Sequence, residues 1–345
     1  MTGRRTLNAL IDRMVPEVRD IFLQVMQDIV DEAFIDEMIK AIEAGDQQAL
    51  FNAVGFTPAA LQPLLDVIEG VFRDAGNITG EGFPARIRTP TGSMVFRFDM
   101  RNPAVETLLR DQAGQLITRL TDEALENVRI TMERGAIAGD NPRTTALDIV
   151  GRIDPVSQER IGGVIGLTNQ QETWVSNAKR YLQQLDPSYL EMDLRDKRFD
   201  SIVRAAIESG TPLPADTISK LVTAYKNSAL QYRGEAISRT EVIQNTNRAE
   251  FQAHMQAVAE GGISYDAITK YWDDVGDKRT RHTHLELGRK YGPSTDGINL
   301  DQPFVSPSGA QLLYPGDTSL GAPAEEIVFC RCRPKYSVDW LAGVD

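Results

Sequence analysis

The sequence predicts an α+β protein: a mainly α-helical N-terminal region carrying one β-hairpin, then a small mixed α/β C-terminal module. Three observations predict it. Apolar residues recur at helical spacing through most of residues 1–76 and 101–260. One segment, Ala85–Phe98, alternates with the two-residue period of a strand around Pro90 and Gly92. Beyond Gly261–Gly262 the pattern turns mixed, and an aromatic, β-branched run precedes sequence rich in Gly, Pro, Asp and Ser.

Taken in order, Val18, Phe22, Val25, Ile29, Phe34, Met38 and Ile42 form a helical stripe over Met14–Ile42. Thr57–Pro58 reads as an N-cap followed by proline at the first helical position. It should open a helix carrying Leu61, Leu64, Leu65, Ile68 and Phe72, closed by Gly76–Asn77. The hairpin follows, with Arg86, Arg88 and Arg97 making it basic. Asn102–Pro103 caps a long helix expected to reach Gly135. Shorter helices are expected over about 144–152, 155–163, 169–185 and 195–209, punctuated by Asp154–Pro155, Asp186–Pro187, Pro212 and Pro214. A long helix should run from Asp216 to about Glu260. Ile268–Val275 reads as a strand, Arg279–Lys290 as a charged helix, and Ile327–Cys330 as a short strand. This organisation suggests boundaries at 1–100, 101–215 and 216–345, within the two or three units that 345 residues imply.

Composition excludes several classes. The formal charge is −12, and neither residues 1–230 nor 231–345 are net basic, so any contact with nucleic acid must be local. No run approaches the length of a transmembrane helix, and the N-terminus lacks the apolar stretch of a secretory signal. Two cysteines make no disulfide framework, and as Cys330-Arg331-Cys332 they are poorly placed to bridge each other. A reducing compartment is expected.

The residues with chemistry concentrate late in the chain. His254, His282 and His284 are the only histidines, and with Cys330 and Cys332 they fall within 254–332. Four such ligands could form a tetrahedral zinc site, although Cys-x-Cys is not the common Cys-x2–4-Cys knuckle. The competing reading is two half-buried thiols beside a histidine that hydrogen-bonds a nearby turn. His282 and His284 could share a face only if extended, since residues two apart diverge on a helix. Asp273, Asp274, Asp277, Arg279, Arg281 and His284 form a charged run suited either to an ion-pair network or to acid–base or phosphate chemistry. No nucleophile elbow, phosphate loop or His-Glu-x-x-His motif accompanies it. On the long helix, Arg239, Asn245, Asn247 and Arg248 make a polar stripe that is either its exposed side or a set of bonds to a packed loop.

Several of these elements occur together in one order. Arg239-Thr240-Glu241 is followed by Tyr271-Trp272, then by Asp277-x-Arg279-Thr280-Arg281-x-x-His284-x-x-x-Gly288. Phe304, Tyr314-Pro315-Gly316-Asp317 and Cys330-Arg331-Cys332 complete the series. Over about residues 235–335 this resembles the Mu F-like family of phage minor head proteins, also called head morphogenesis proteins. Two departures stand out: Phe329 replaces the family's usual Asn, and Glu325-Glu326 replace small polar residues. The resemblance implies a non-enzymatic minor capsid protein of a tailed bacteriophage, acting in head assembly and in DNA packaging or delivery. It implies the portal protein and the major capsid or scaffold protein as partners, local contact with packaged DNA, and no membrane. The expected location is the head interior near the portal, and the host cytoplasm during assembly. The alternative is a metal-dependent or phosphate-handling enzyme using Asp277, Arg279 and His284. No cofactor is required by the resemblance. A structural zinc would use His284, Cys330 and Cys332, which coincide with motif positions, whereas His254 and His282 do not. A hydrogen-bonded network is expected to join Asp277, Arg279, Arg281 and His284 to the Pro315-Gly316-Asp317 turn.

Overall fold

The computed structural model describes residues 2–89, 92–261 and 263–342. Pro90 and Thr91 of the expected hairpin turn, and Gly262 of the expected helix stop, lie outside them. The fold is α+β, built from long helices and small antiparallel sheets. Among the described residues, no helix is long and apolar enough to cross a membrane. The chain divides into two compact units that do not follow its order. One comprises Met1–Arg19, Leu65–Asp111 and Glu235–Asp345, the other Asp20–Leu64 and Gln112–Gly234. Of the boundaries expected near 100 and 215, the first falls just before a helix and the second at the start of one.

Helix α1 (Thr2–Asp31) buries Leu7, Leu10, Met14, Val18, Phe22, Val25 and Ile29, one side chain per turn. The Met14–Ile42 stripe is not one helix. Phe34 leaves helical geometry at φ −86°, ψ 86°, and its N–H bonds the Ala53 carbonyl instead. Helices α2 (Ile35–Ala44) and α3 (Gln47–Val54) follow, separated by Gly45 in the left-handed region and by Asp46, whose side chain caps Ala49 N–H.

Thr57 Oγ1 accepts the Ala60 N–H as an N-cap would, but residues 58–61 form successive tight turns and helix α4 starts later, at Gln62 (Gln62–Glu81). Gly76 does not end it. A side chain there would meet the Phe98 ring at 2.1 Å, so glycine marks a close contact inside the helix. The hairpin is present as β1 (Ile87–Thr89) and β2 (Gly92–Met94), with Arg86, Arg88 and Arg97 exposed.

Helix α5 (Pro103–Ala138) outruns its expected end by one turn, and α6 (Pro142–Val150) is capped by Asn141. The expected 155–163 helix is absent. That stretch is a small hairpin of β3 (Arg152–Ile153) and β4 (Arg160–Ile161), because the Asp154 carboxylate accepts the Val156 and Ser157 N–H groups and turns the chain. Helix α7 (Asn169–Gln184) opens with a reciprocal Thr168–Gln171 capping box, and α8 (Asp200–Ser209) follows two short 3₁₀ turns. Val175, Leu182, Tyr189, Val203, Leu221 and Tyr225 form a core in this unit.

Helix α9 (Ala215–Ala259) leads into the sheet that positions the candidate site. Its central strand β5 (Ile268–Asp273) is flanked by β6 (Ile298–Asn299) and β9 (Arg333–Val338), all antiparallel. Ile268, Lys270 and Trp272 point to its buried face. Helix α10 (His282–Tyr291) lies between β5 and β6 in the chain, and a small β7–β8 hairpin (Phe304–Val305, Gln311–Leu312) follows. The expected strand at 327–330 is instead the end of a short helix, α11 (Ala324–Ile327), followed by an irregular segment. Phe329 sits there at φ 58°, a left-handed conformation that no strand contains. Pairing resumes at Arg333, beyond Cys332.

Candidate functional site

The Asp277–Thr280 turn launches α10. Asp277 Oδ1 accepts the Arg279 backbone N–H at 3.0 Å and the Thr280 hydroxyl at 3.2 Å, while Thr280 Oγ1 accepts the Asp277 N–H. Both Asp277 oxygens also receive a bidentate guanidinium from Arg331, at 2.8 and 2.5 Å. That guanidinium, with the turn's own donors, holds the Asp277 carboxyl well below the usual carboxylate range. The expected partner, Arg279, has an 82% exposed side chain at 3.9 Å from Asp277. Arg281 turns the other way and donates to the Val328 carbonyl.

Three residues on, His284 is buried. Its Nε2 lies 3.0 Å from Glu326 Oε2, and its Nδ1 lies 3.4 Å from Cys332 Sγ and 3.6 Å from Cys330 Sγ. Glu326 is almost as buried as His284 and accepts three further bonds, from Thr283 Oγ1 at 2.9 Å, Ser306 Oγ at 2.9 Å and Ser308 Oγ at 2.6 Å. Burial opposes charge on both partners. Hydrogen bonding to Cys330 and the nearby Glu326 nevertheless raise the imidazole's pKa, and the three hydroxyls lower that of the carboxyl. The two thiols are driven apart in pKa. Hydrogen bonding from Cys332 and His284 lowers Cys330, and the hydrogen bond to Cys330, with burial, raises Cys332. Trp272, Leu287, Tyr291, Phe304 and Leu312 wall the cluster in apolar surface, with the Trp272 ring edge-on to His284 at 5.1 Å.

The Cys-x-Cys segment is held from α9 rather than by strand pairing. Thr240 Oγ1 accepts the Phe329 N–H at 3.1 Å, and Asn247 Nδ2 reaches both the Pro315 and the Cys332 carbonyls, at 2.9 and 3.0 Å. Arg248 Nε donates to the Tyr314 hydroxyl. Of the polar stripe of this helix, Asn247 and Arg248 bond packed loops, while Asn245 donates to the Glu241 carbonyl of the same helix. Glu241 is buried, and Arg239 pairs with Glu235 one turn earlier.

The Pro315-Gly316-Asp317 turn closes on itself. Asp317 Oδ2 accepts the Leu313 N–H at 2.8 Å and Oδ1 the Ser319 N–H at 2.9 Å, while Gly316 lies over Gln244 of α9. The single network expected to join this turn to Asp277, Arg279, Arg281 and His284 is resolved into separate sets. The cause is competition for hydrogen-bonding partners: Arg331 occupies the Asp277 carboxylate, Glu326 takes His284, and Asp317 is engaged by its own loop. Gly288, one turn beyond His284, faces Asp274, whose carboxylate lies 1.7 Å from where a Cβ would stand.

His284, Cys330 and Cys332 thus come together, with donor atoms all within 4.8 Å of one another, a set able to hold a metal ion. The other two histidines do not join them. His282 is exposed beside Glu286, and His254 is buried against the Glu250 carbonyl and stacked on Tyr336. Sequence reasoning missed Glu326, Ser306, Ser308 and Arg331. Glu326 and Arg331 alone carried a signal, the first in the Glu325-Glu326 departure and the second inside Cys330-Arg331-Cys332, and neither pairing could be read from it. Compared with protein-family models, curated proteins and solved structures, the chain gives no significant match.

Proposed function

We propose that this chain is a structural minor head protein of a tailed bacteriophage, acting at the portal vertex in head assembly and DNA packaging or delivery. One observation carries the reading. Most of the polar residues in the segment that resembles the Mu F-like family, from Thr240 to Cys332 and with Arg279 as the exception, are engaged in bonds that lock loops onto α9 and α10. Asp277 holds Arg331, Arg281 holds Val328, Asp317 closes its own turn, and Asn247 ties Pro315 to Cys332. Such engagement suits a scaffold better than a catalytic cluster, whose acid and base must be available to substrate. Portal and capsid or scaffold proteins are the proposed partners, and the long helices offer surface for them. Contact with DNA would be local and sensitive to salt, through Arg86, Arg88, Arg97, Lys278 and Arg279. Arg281 is withdrawn from that set by its bond to Val328.

Quantitative mass spectrometry of proheads and mature virions, with crosslinking to the portal, tests the reading. The expected result is a low-copy component crosslinked to the portal. Absence from both particles overturns it.

A further inference from the structure

We propose that His284, Cys330 and Cys332 bind a single zinc ion, with Glu326 as the carboxylate that orients the histidine. Three features of the geometry point to it.

The distances are those of a coordination polyhedron. With zinc–sulfur bonds of about 2.3 Å and zinc–nitrogen bonds of about 2.0–2.1 Å, a tetrahedral site separates its nitrogen from each sulfur by about 3.5–3.6 Å. His284 Nδ1 lies 3.4 and 3.6 Å from the two sulfurs. With the ring neutral and its Nε2–H given to Glu326, hydrogen bonding explains one of these contacts and not both. Nδ1 has one lone pair in the ring plane, so only one thiol can donate to it, whereas a metal ion uses that lone pair and both sulfurs at once.

The second feature is the far side of the ring. An Nε2–H donated to Glu326 leaves Nδ1 bare and aimed at the sulfurs, which is the tautomer a metal requires. Glu326 is itself fixed by Thr283, Ser306 and Ser308, brought from α10 and from the loop after β7. A buried carboxylate held by three hydroxyls and aimed at a histidine is the outer support that metal-ligating imidazoles have.

The third is the donor chemistry. Two thiolates and an imidazole suit a borderline-soft cation that accepts four ligands, and they disfavour magnesium or calcium, which take oxygen. Among the described residues no fourth His, Cys, Asp or Glu donor joins the three. The fourth corner is left to water or another small ligand.

The ion would bind α10 to the Cys-x-Cys segment, which has no strand partner of its own at Cys330 and Cys332. This inference is independent of the head-protein reading, since the protein can hold zinc whether or not it enters a phage particle.

The test uses the untagged full-length chain, purified under reducing conditions. Elemental analysis is expected to show about one zinc per chain, taken up again after removal by a chelator. Cobalt in its place should give thiolate charge-transfer absorption and the strong visible bands of a four-coordinate ion. Both signals should vanish in Cys330→Ser and Cys332→Ser and persist in His282→Gln. Glu326→Gln should keep the ion with an affinity about 10–100-fold weaker. Zinc-edge X-ray absorption of the wild-type protein reads the ligand set even if the cysteine variants do not fold, and two sulfurs with imidazole nitrogen are expected. A folded, reduced chain that takes up no zinc overturns the proposal, as does a bound ion with an oxygen-only or sulfur-free shell.

Discussion

Arg331 and Arg279 compete, at the scale of single residues, for the same carboxylate, and burial and geometry decide between them. Arg331 makes two bonds to Asp277 with a side chain 22% exposed, while Arg279 stays in solvent at 82%. Arg331→Ala should therefore lower the melting temperature by about 1–3 °C, and Arg279→Ala should leave it unchanged. Equal effects in a thermal unfolding series would contradict the pairing described. The depressed Asp277 pKa adds a pH signature. Its contribution is present above the ordinary carboxylate range and is lost as pH falls through and below it, so the Arg331→Ala deficit should shrink in acid. His254 titrates in a different window. Burial without a counter-charge brings its pKa from 6.5 down to about 4. The unfolded chain protonates it first, so stability should fall as pH drops from about 6.5 to about 4, by up to about 3 kcal/mol. Chemical denaturation of wild type and His254→Gln across that range would show the slope in the first and a flatter profile in the second.

Within the elements, close packing overrides propensity in places that composition does not mark. In α4, Gly76 looks like a helix stop, yet the helix continues because the Phe98 ring occupies the space of a side chain. Alanine favours helices by about 1 kcal/mol over glycine in general, but Gly76→Ala should destabilise by about 1–3 kcal/mol through that overlap. A stabilised Gly76→Ala protein in urea titration would refute the contact. Strand β5 carries a second exception. Lys270 takes an inward position, donates to the Leu313 carbonyl at 2.8 Å and lies over the Phe251 and Phe304 rings. Burial lowers its pKa from 10.5 to about 7. Between those values the unfolded chain binds the proton and the folded chain does not, so the penalty is full below about 7 and fades towards 10.5. Stability should thus rise with pH from about 7 to 10 relative to Lys270→Met, whatever the variant's absolute stability. Parallel curves for the two proteins would exclude a buried, neutral lysine.

In the whole molecule, the segment with the family-like motifs does not stand alone. Arg333 bonds Asn8 as well as Glu250, Gln256 exchanges bonds with the Asp99 backbone, and Ile87 and Phe96 share a core with Phe251, Ile268 and Tyr314. A fragment spanning 216–345 should consequently lose cooperative unfolding and expose apolar surface to dye, while the full chain shows neither change. A cooperatively folded fragment with the full-length protein's melting temperature would contradict this. How much was legible beforehand follows the same division between local and distant causes. Helix α5, helix α9, the Ile87–Met94 hairpin and strand β5 are readable because spacing and capping are local properties of a few consecutive residues. The cysteines, His284 and the Asp277 turn are also visible as motif positions. Their partners are not, because Glu326 lies 42 residues from His284 and Arg331 lies 54 from Asp277. The sequence by itself determined the helices, the mixed C-terminal character and the residues able to do chemistry. Only the tertiary structure decided that Cys330 and Cys332 leave strand geometry, that Arg331 displaces Arg279, and that a buried carboxylate stands behind His284. Each of those outcomes depends on which distant groups the packed chain brings together, and that is a property of the whole fold rather than of any stretch of it.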